Sequence, residues 1–148
     1  MRYGLVGSEM CIRDRGHGGY TMTVFTWLLF GLVIKHAYMD LYVQATRPPA
    51  NKTRYLNGFR HYFDHGLGTA VVIMLCFGID EWKIAIALGV FDLFIHSLID
   101  FGKARLTRRL GWHRDEPRFW KLQSLDQSLH FVTYMLIVMT TYNYYNAI

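Results

Sequence analysis

Two cysteines and three prolines in 148 residues exclude a disulfide scaffold and leave few places where a helix must break. No segment alternates apolar and polar residues with period two, so strands are not expected. No stretch is of low complexity, and none repeats at the length of a solenoid unit. A cleavable signal pattern is missing too: the first apolar run continues into Lys35-His36 without a small-residue cleavage site. The uninterrupted apolar runs are short. "VFTWLLFGLVI", "AVVIMLCFGI", "IAIALGVF" and "MLIVM" all fall below the ~20 residues that span a bilayer. No HExxH sequence, phosphate-binding glycine loop or nucleophile motif occurs, so no reaction type is written in a short motif.

The front of the chain has a different character from the rest. Leu5-Val6-Gly7-Ser8-Glu9-Met10-Cys11-Ile12-Arg13-Asp14 resembles the in-frame translation of a transposon-type sequencing-library adapter, whose flanking partial codons allow Gly4 and Arg15. Residues 1–21 are therefore expected to be a non-native, disordered leader and are set aside from the fold. Gly18-Gly19 can be encoded as a purine-rich ribosome-binding sequence ahead of Met22, which makes Met22 the expected start; the alternative is a longer natural chain that the adapter interrupts. Residues 22–148 then form a single helical membrane domain. Without the leader, 13 of the 16 basic residues and 9 of the 11 acidic ones remain. Cys11 goes with the leader, and Cys76, alone in an apolar run, is a packing residue.

Four helices are expected. The first runs from Val24 to about Thr46 and stops at Arg47-Pro48-Pro49. The second spans about Phe59 to Phe77, closed by Gly78 and Asp80. The third spans about Glu81 to Arg109, closed by Gly111, and the fourth about Arg118 to Tyr145. Extended through their few polar positions, all four reach spanning length. The connections differ in charge. Arg47, Lys52, Arg54 and Arg60 stand in the first with no acid, and Lys103, Arg105, Arg108, Arg109, Arg114, Arg118 and Lys121 surround the third against Asp115 and Glu116. The second carries Asp80, Glu81 and Lys83. In four antiparallel helices the first and third connections share a side, which the positive-inside rule makes cytoplasmic, with both termini outside. Trp27, Trp82, Tyr142, Tyr144 and Tyr145 would gather at the outer interface. The competing reading is a soluble basic bundle that binds nucleic acid; the charge asymmetry and aromatic belt favour the lipid bilayer of a bacterial inner membrane as the partner.

The ionisable residues inside the helices are paired at four-residue spacing, which puts both members on one helix face. The pairs are His36 and Asp40 (with Gln44 one step on), His61 and His65, His96 and Asp100 (with Asp92 above and Lys103 beside), and Asp126 and His130 (with Gln127). All four pairs fall at one depth, on the inner side of the apolar slab, where ionisable groups face inward or pair with one another. The fold class expected is all-α: a four-helix antiparallel transmembrane bundle with an inward-facing His/Asp layer near the cytoplasmic end. Facing imidazoles and carboxylates are how helical bundles build metal centres. Candidate ligands of one or two divalent ions (Zn, Mn or Fe) are His36, Asp40, His65, His96, Asp100, Asp126 and His130. Gln44, His61, Asp92, Lys103 and Gln127 are expected in support, Asp92 as the residue that orients His96. The bland alternative is a His–Asp hydrogen-bond network with no ion. Asp64 is expected to be solvated and His113 to have no role.

The blocks "KHAYMDLYVQ", "HSLIDFGK" and "LDQSLH" resemble, in order and spacing, the domain of unknown function 3307 family of small bacterial and phage-borne membrane proteins. The resemblance implies a multi-helix integral membrane protein and supplies no activity. By position it marks His36, Asp40, Gln44, His96, Asp100, Lys103, Asp126, Gln127 and His130, with His65 matching less distinctively. A looser, fold-level likeness connects such bundles to membrane-bound metal-dependent hydrolases.

Three functions follow as expectations. The first is a metal-dependent hydrolase at the cytoplasmic face, whose ion activates water and polarises a phosphoester, amide or ester, with basic loops drawing an anionic lipid or headgroup-like substrate. The second is a non-enzymatic membrane subunit in which the polar layer is structural. The third, ion or proton passage, would need polar positions through the outer half of the second and fourth helices, which offer almost none.

Overall fold

The structure, a computed structural model, describes residues 20–46 and 55–146, and these contain helices and no strand. The expected leader lies outside the described residues except for Tyr20 and Thr21. So do Arg47, Lys52 and Arg54 of the first connection.

Four helices form where the hydrophobic pattern places them. Helix α1 is Met22–Ala37, α2 is Phe59–Phe77, α3 is Trp82–Leu110 and α4 is Pro117–Asn146. Their ends follow local chemistry. Gly78 ends α2 at φ 101°, a value that residues with a Cβ seldom reach. Gly111 ends α3 at φ 64°, and the Gly111 and Trp112 amides donate to the Arg108 and Thr107 carbonyls, the paired bonds of a Schellman ending. Pro117 opens α4, where its missing N–H costs nothing.

The first helix departs from expectation. Beyond Ala37 the coil widens into a π-helical turn over Tyr38–Val43, and the Gln44 amide donates to the Met39 carbonyl at 3.0 Å. A turn closed by i→i+5 bonds holds more residues than an α-turn, so positions four apart line up more nearly along one stripe. His36, Asp40 and Gln44 accordingly line one wall of the same cavity.

Each helix packs on two neighbours, in a closed ring α1–α2–α3–α4–α1. The contacts run antiparallel throughout. On α1, Phe25 meets Phe77 and Tyr142 at one end, and His36 meets His65 and Gln127 at the other. Across α2 and α3, Thr69 meets Asp92 while His61 meets Asp100. Helices α2 and α3 cross at their glycines: a Cβ on Gly66 would lie 2.6 Å from the Gly89 carbonyl oxygen, and one on Gly89 equally close to that of Gly66.

The interior is divided by polarity. At the end holding the start of α1 and the end of α4, Phe25, Leu28, Leu32, Ile73, Phe77, Ala85 and Ile137 form the apolar core, and half-buried Cys76 packs against it. Tyr20 adds its ring to Phe77 and Tyr145. At the opposite end the interior consists of histidines, aspartates and a lysine. The outer surface reverses this order: Leu75 is 80% exposed, Phe94 54% and Met139 56%, while His65 and His96 are 0% exposed.

Among the described residues, two segments are long and apolar enough to cross a membrane, Met22–Val43 with mean hydropathy 1.4 and Ile79–Leu110 with 1.9. The expectation of four such helices is thus met by two on composition. In α2 the polar run His61, Asp64 and His65 lowers the average, and in α4 Lys121, Asp126, Gln127 and His130 do the same.

Candidate metal centre

All four helices bring their polar pairs to one place. Asp40 sits against three imidazoles: its Oδ1 is 3.1 Å from His65 Nε2 and 3.3 Å from His61 Nε2, and its Oδ2 is 3.4 Å from His36 Nε2. Asp100 sits against three more contacts, with Oδ2 3.5 Å from His61 Nε2 and 3.8 Å from His96 Nε2, and Oδ1 3.6 Å from His130 Nε2. Asp126 Oδ1 faces His130 Nε2 at 3.9 Å. The rings are packed face to face, His65 on His96 at 3.7 Å between centroids and His96 on His130 at 4.1 Å.

Among the described residues, three sets of side chains could hold a metal ion, each with its ligand atoms within 4.8 Å of one another. They are Asp40, His61, His65 and His96; His36, His96 and His130; and Asp100, Asp126 and His130. Every candidate ligand drawn from the sequence lies in one of these sets. His61, expected only in support, stands among them.

The supporting residues divide. Lys103 donates to Asp126 Oδ2 at 2.8 Å and to Gln123 Oε1 at 3.1 Å, so it serves the cluster. Gln127 bridges His36 and Asp126. Gln44 is exposed at the lip of the cavity. Asp92 does not orient His96 as expected. One turn nearer the apolar core, its Oδ2 accepts Lys35 Nζ at 2.8 Å and Thr69 Oγ1 at 2.6 Å. The reason is chemical: a buried ammonium demands a carboxylate more strongly than a neutral imidazole does. Asp64 is half-buried, and His113 joins the cavity wall.

Sequence reasoning missed Lys35, Thr69 and Tyr134. Lys35 is 7% exposed and donates also to the His65 carbonyl and the Tyr134 hydroxyl, both at 3.3 Å. Its stem lies where a Cβ on Gly68 would stand, 2.9 Å from Lys35 Cγ and Cδ. The signal was available. Thr69 continues His61 and His65 at the same four-residue step, and Tyr134 continues Asp126 and His130. Lys35 is a cation in an apolar helix, which is itself a mark of an interior partner.

A cavity of about 880 Å³ leads to the cluster. His36, Asp40, Asp100, Lys103 and Gln127 form its polar end, Val33, Leu41 and Phe131 an apolar wall, and Arg108, His113 and Arg114 its far rim at the α3–α4 connection.

No curated protein and no solved structure matches this chain. Residues 28–148, which include α2, α3, α4 and the part of α1 from Leu28 onward, match a family described as "Protein of unknown function (DUF3307)", and the chain belongs to that family.

Proposed function

We propose that the protein is an integral membrane metalloprotein, a metal-dependent hydrolase of the bacterial inner membrane, acting at the cytoplasmic face on an anionic, headgroup-bearing substrate. The observation that carries the metal is an electrostatic mismatch. His61 Nε2 and His96 Nε2 stand 3.4 Å apart, so at most one can present a proton to the other. His130 Nε2 and Asp126 Oδ1 are buried without a hydrogen-bond partner. Buried polar atoms are normally satisfied, and a divalent cation satisfies lone pairs of both kinds at once. Asp40, His61, His65 and His96 supply one imidazole-rich donor set, and Asp100, Asp126 and His130 a second, richer in carboxylate; both suit Zn, Mn or Fe. An ion held there supplies Lewis acidity and an activated water. The chain's own residues bring the substrate to it: Arg108 and Arg114 draw the anion, and the apolar wall takes its hydrophobic part.

The membrane reading draws on the inverted polarity of the molecule, with large apolar side chains outside and ionisable groups inside. The non-enzymatic reading draws on the layer of Lys35, Asp92 and Thr69, in which Asp92 Oδ2 accepts from both Lys35 and Thr69 without any ion.

Elemental analysis of the full chain, purified in detergent without chelator, separates the two. Near-stoichiometric transition metal in the parent, lost in a His96→Ala, Asp126→Ala double variant, is the expected result. A folded parent without metal would sink the metal reading and leave a structural network.

A further inference from the structure

We infer that His36 is not an ion ligand but the proton-bearing member of the cluster, fixed as the Nε2–H tautomer and presenting that N–H to the end of the cavity. Its partners have only one consistent arrangement of protons.

The chain of bonds is anchored at both ends by a lysine, which can donate and never accept. At one end Lys35 Nζ donates to the Tyr134 oxygen at 3.3 Å, and Tyr134 OH lies 2.9 Å from His36 Nδ1. Lys35 and His36 are the hydrogen-bond partners of this hydroxyl among the described residues. Its own proton therefore has one acceptor, His36 Nδ1, because the ammonium offers none. Tyr134 is fully buried, where an O–H left without an acceptor is costly. Nδ1 thus carries the lone pair, and a neutral ring then carries its proton on Nε2.

The other end gives the same answer independently. Lys103 Nζ donates to Asp126 Oδ2 at 2.8 Å, which makes that oxygen an acceptor. Gln127 lies 3.2 Å from the same oxygen and must turn its amide N–H₂ towards it. Its Oε1 then faces His36 Nε2 at 3.2 Å. A carbonyl oxygen accepts only, so Nε2 must donate. Asp40 Oδ2, at 3.4 Å from the same nitrogen, is a further acceptor. Two lysines on different helices, α1 and α3, therefore impose one tautomer on a ring between them.

His65 and His96 each have Nδ1, and His130 its Nε2, buried without a hydrogen-bond partner, so these three rings are not held at both nitrogens as His36 is. His36 and Gln127 both line the cavity. A phosphoryl or acyl oxygen reaching the cluster would take the His36 N–H in place of Gln127 Oε1, beside the ion-binding sets. This role for His36 rests on the proposed metal site, whereas its tautomer does not.

The test is ¹⁵N NMR of histidine-labelled full chain in detergent, with and without added Zn²⁺, assigned by single substitution. The expected spectrum keeps the His36 proton on Nε2 in both states, while ring nitrogens of His61, His65, His96 and His130 shift with zinc. Tyr134→Phe is expected to release the clamp, giving a mixture of His36 tautomers, with zinc stoichiometry unchanged. His36→Asn is expected to bind zinc as the parent does, whereas His96→Ala does not. Loss of the His36 Nε2 proton on adding zinc, or an Nδ1–H tautomer in the parent, overturns the inference. Zinc that shifts no histidine would defeat the metal site, and the tautomer in the zinc-free spectrum would still decide the clamp.

Discussion

Lys35 Nζ and Asp92 Oδ2 lie 2.8 Å apart at the boundary between the apolar core and the histidine cluster, with their side chains 5% and 1% exposed. A buried pair of this kind is costly to break from one side, because the survivor keeps a charge with no partner. Lys35→Met is expected to destabilise by about 3–5 kcal/mol, and Asp92→Asn by a comparable amount. The Lys35→Met, Asp92→Leu double variant should lose less than the two single losses added together. Thermal unfolding in detergent, followed by circular dichroism, measures all three; strict additivity would show that the pair is not coupled.

The glycines of α2 and α3 make a contrast within one molecule. A Cβ at Gly66 or Gly89 meets backbone oxygen at 2.6 Å, and a helix backbone cannot yield as a flexible side chain does. Gly66→Ala and Gly89→Ala should each force the helices apart and lower the unfolding midpoint. Gly102, also within α3, has nothing within 4 Å of its Cβ position. Gly102→Ala should be neutral or stabilising by roughly 0.5–1 kcal/mol, from reduced backbone entropy in the unfolded chain. Equal effects at Gly66 and Gly102 would refute the close crossing.

Bound metal should stabilise the fold by mass action, since the donor sets span four helices and do not exist in an unfolded chain. An ion at 100 times its dissociation constant adds about 2.7 kcal/mol. Dialysis against a chelator is therefore expected to lower the unfolding midpoint, and re-addition of zinc to restore it. His130→Ala, which removes a ligand from two of the three possible sets, should blunt that response. A midpoint indifferent to chelator would favour the ion-free network.

The helices and the cluster were both legible in the sequence, for a common reason. Side chains four residues apart share a helix face whatever the tertiary fold, so His61/His65 and Asp126/His130 declared their faces before any packing was known. The antiparallel order then brought the pairs to one depth. What was hidden depended on partners. Asp92 was equally able to serve His96 or a cation, and only the packing of α1 on α2, and of α2 on α3, brought Lys35 to it. The π-helical turn at Tyr38–Val43 has no residue signature comparable to proline or glycine; it is visible only as the Gln44–Met39 bond. By length and composition two of the helices are apolar enough to cross a membrane, because the cluster itself lowers the hydropathy of α2 and α4.

Orientation rests on charge and can be measured directly. Arg105, Arg108, Arg109 and Arg114 border the α3–α4 connection at the cluster end, while Asp80 and Glu81 stand at the other end of α3. Exposed Trp27 (61%) and Trp82 (51%) lie at that second end, where aromatic side chains anchor to a membrane surface. By the positive-inside rule the basic end is expected in the cytoplasm. In a chain with Cys11→Ser and Cys76→Ser, a single cysteine at His113→Cys should react with a membrane-impermeant maleimide only in inverted vesicles. One at Asp80→Cys should react in intact spheroplasts. Reactivity of both from one side would exclude a spanning α3, and the reverse pattern would place the cluster and its cavity on the outer face, away from cytoplasmic substrates.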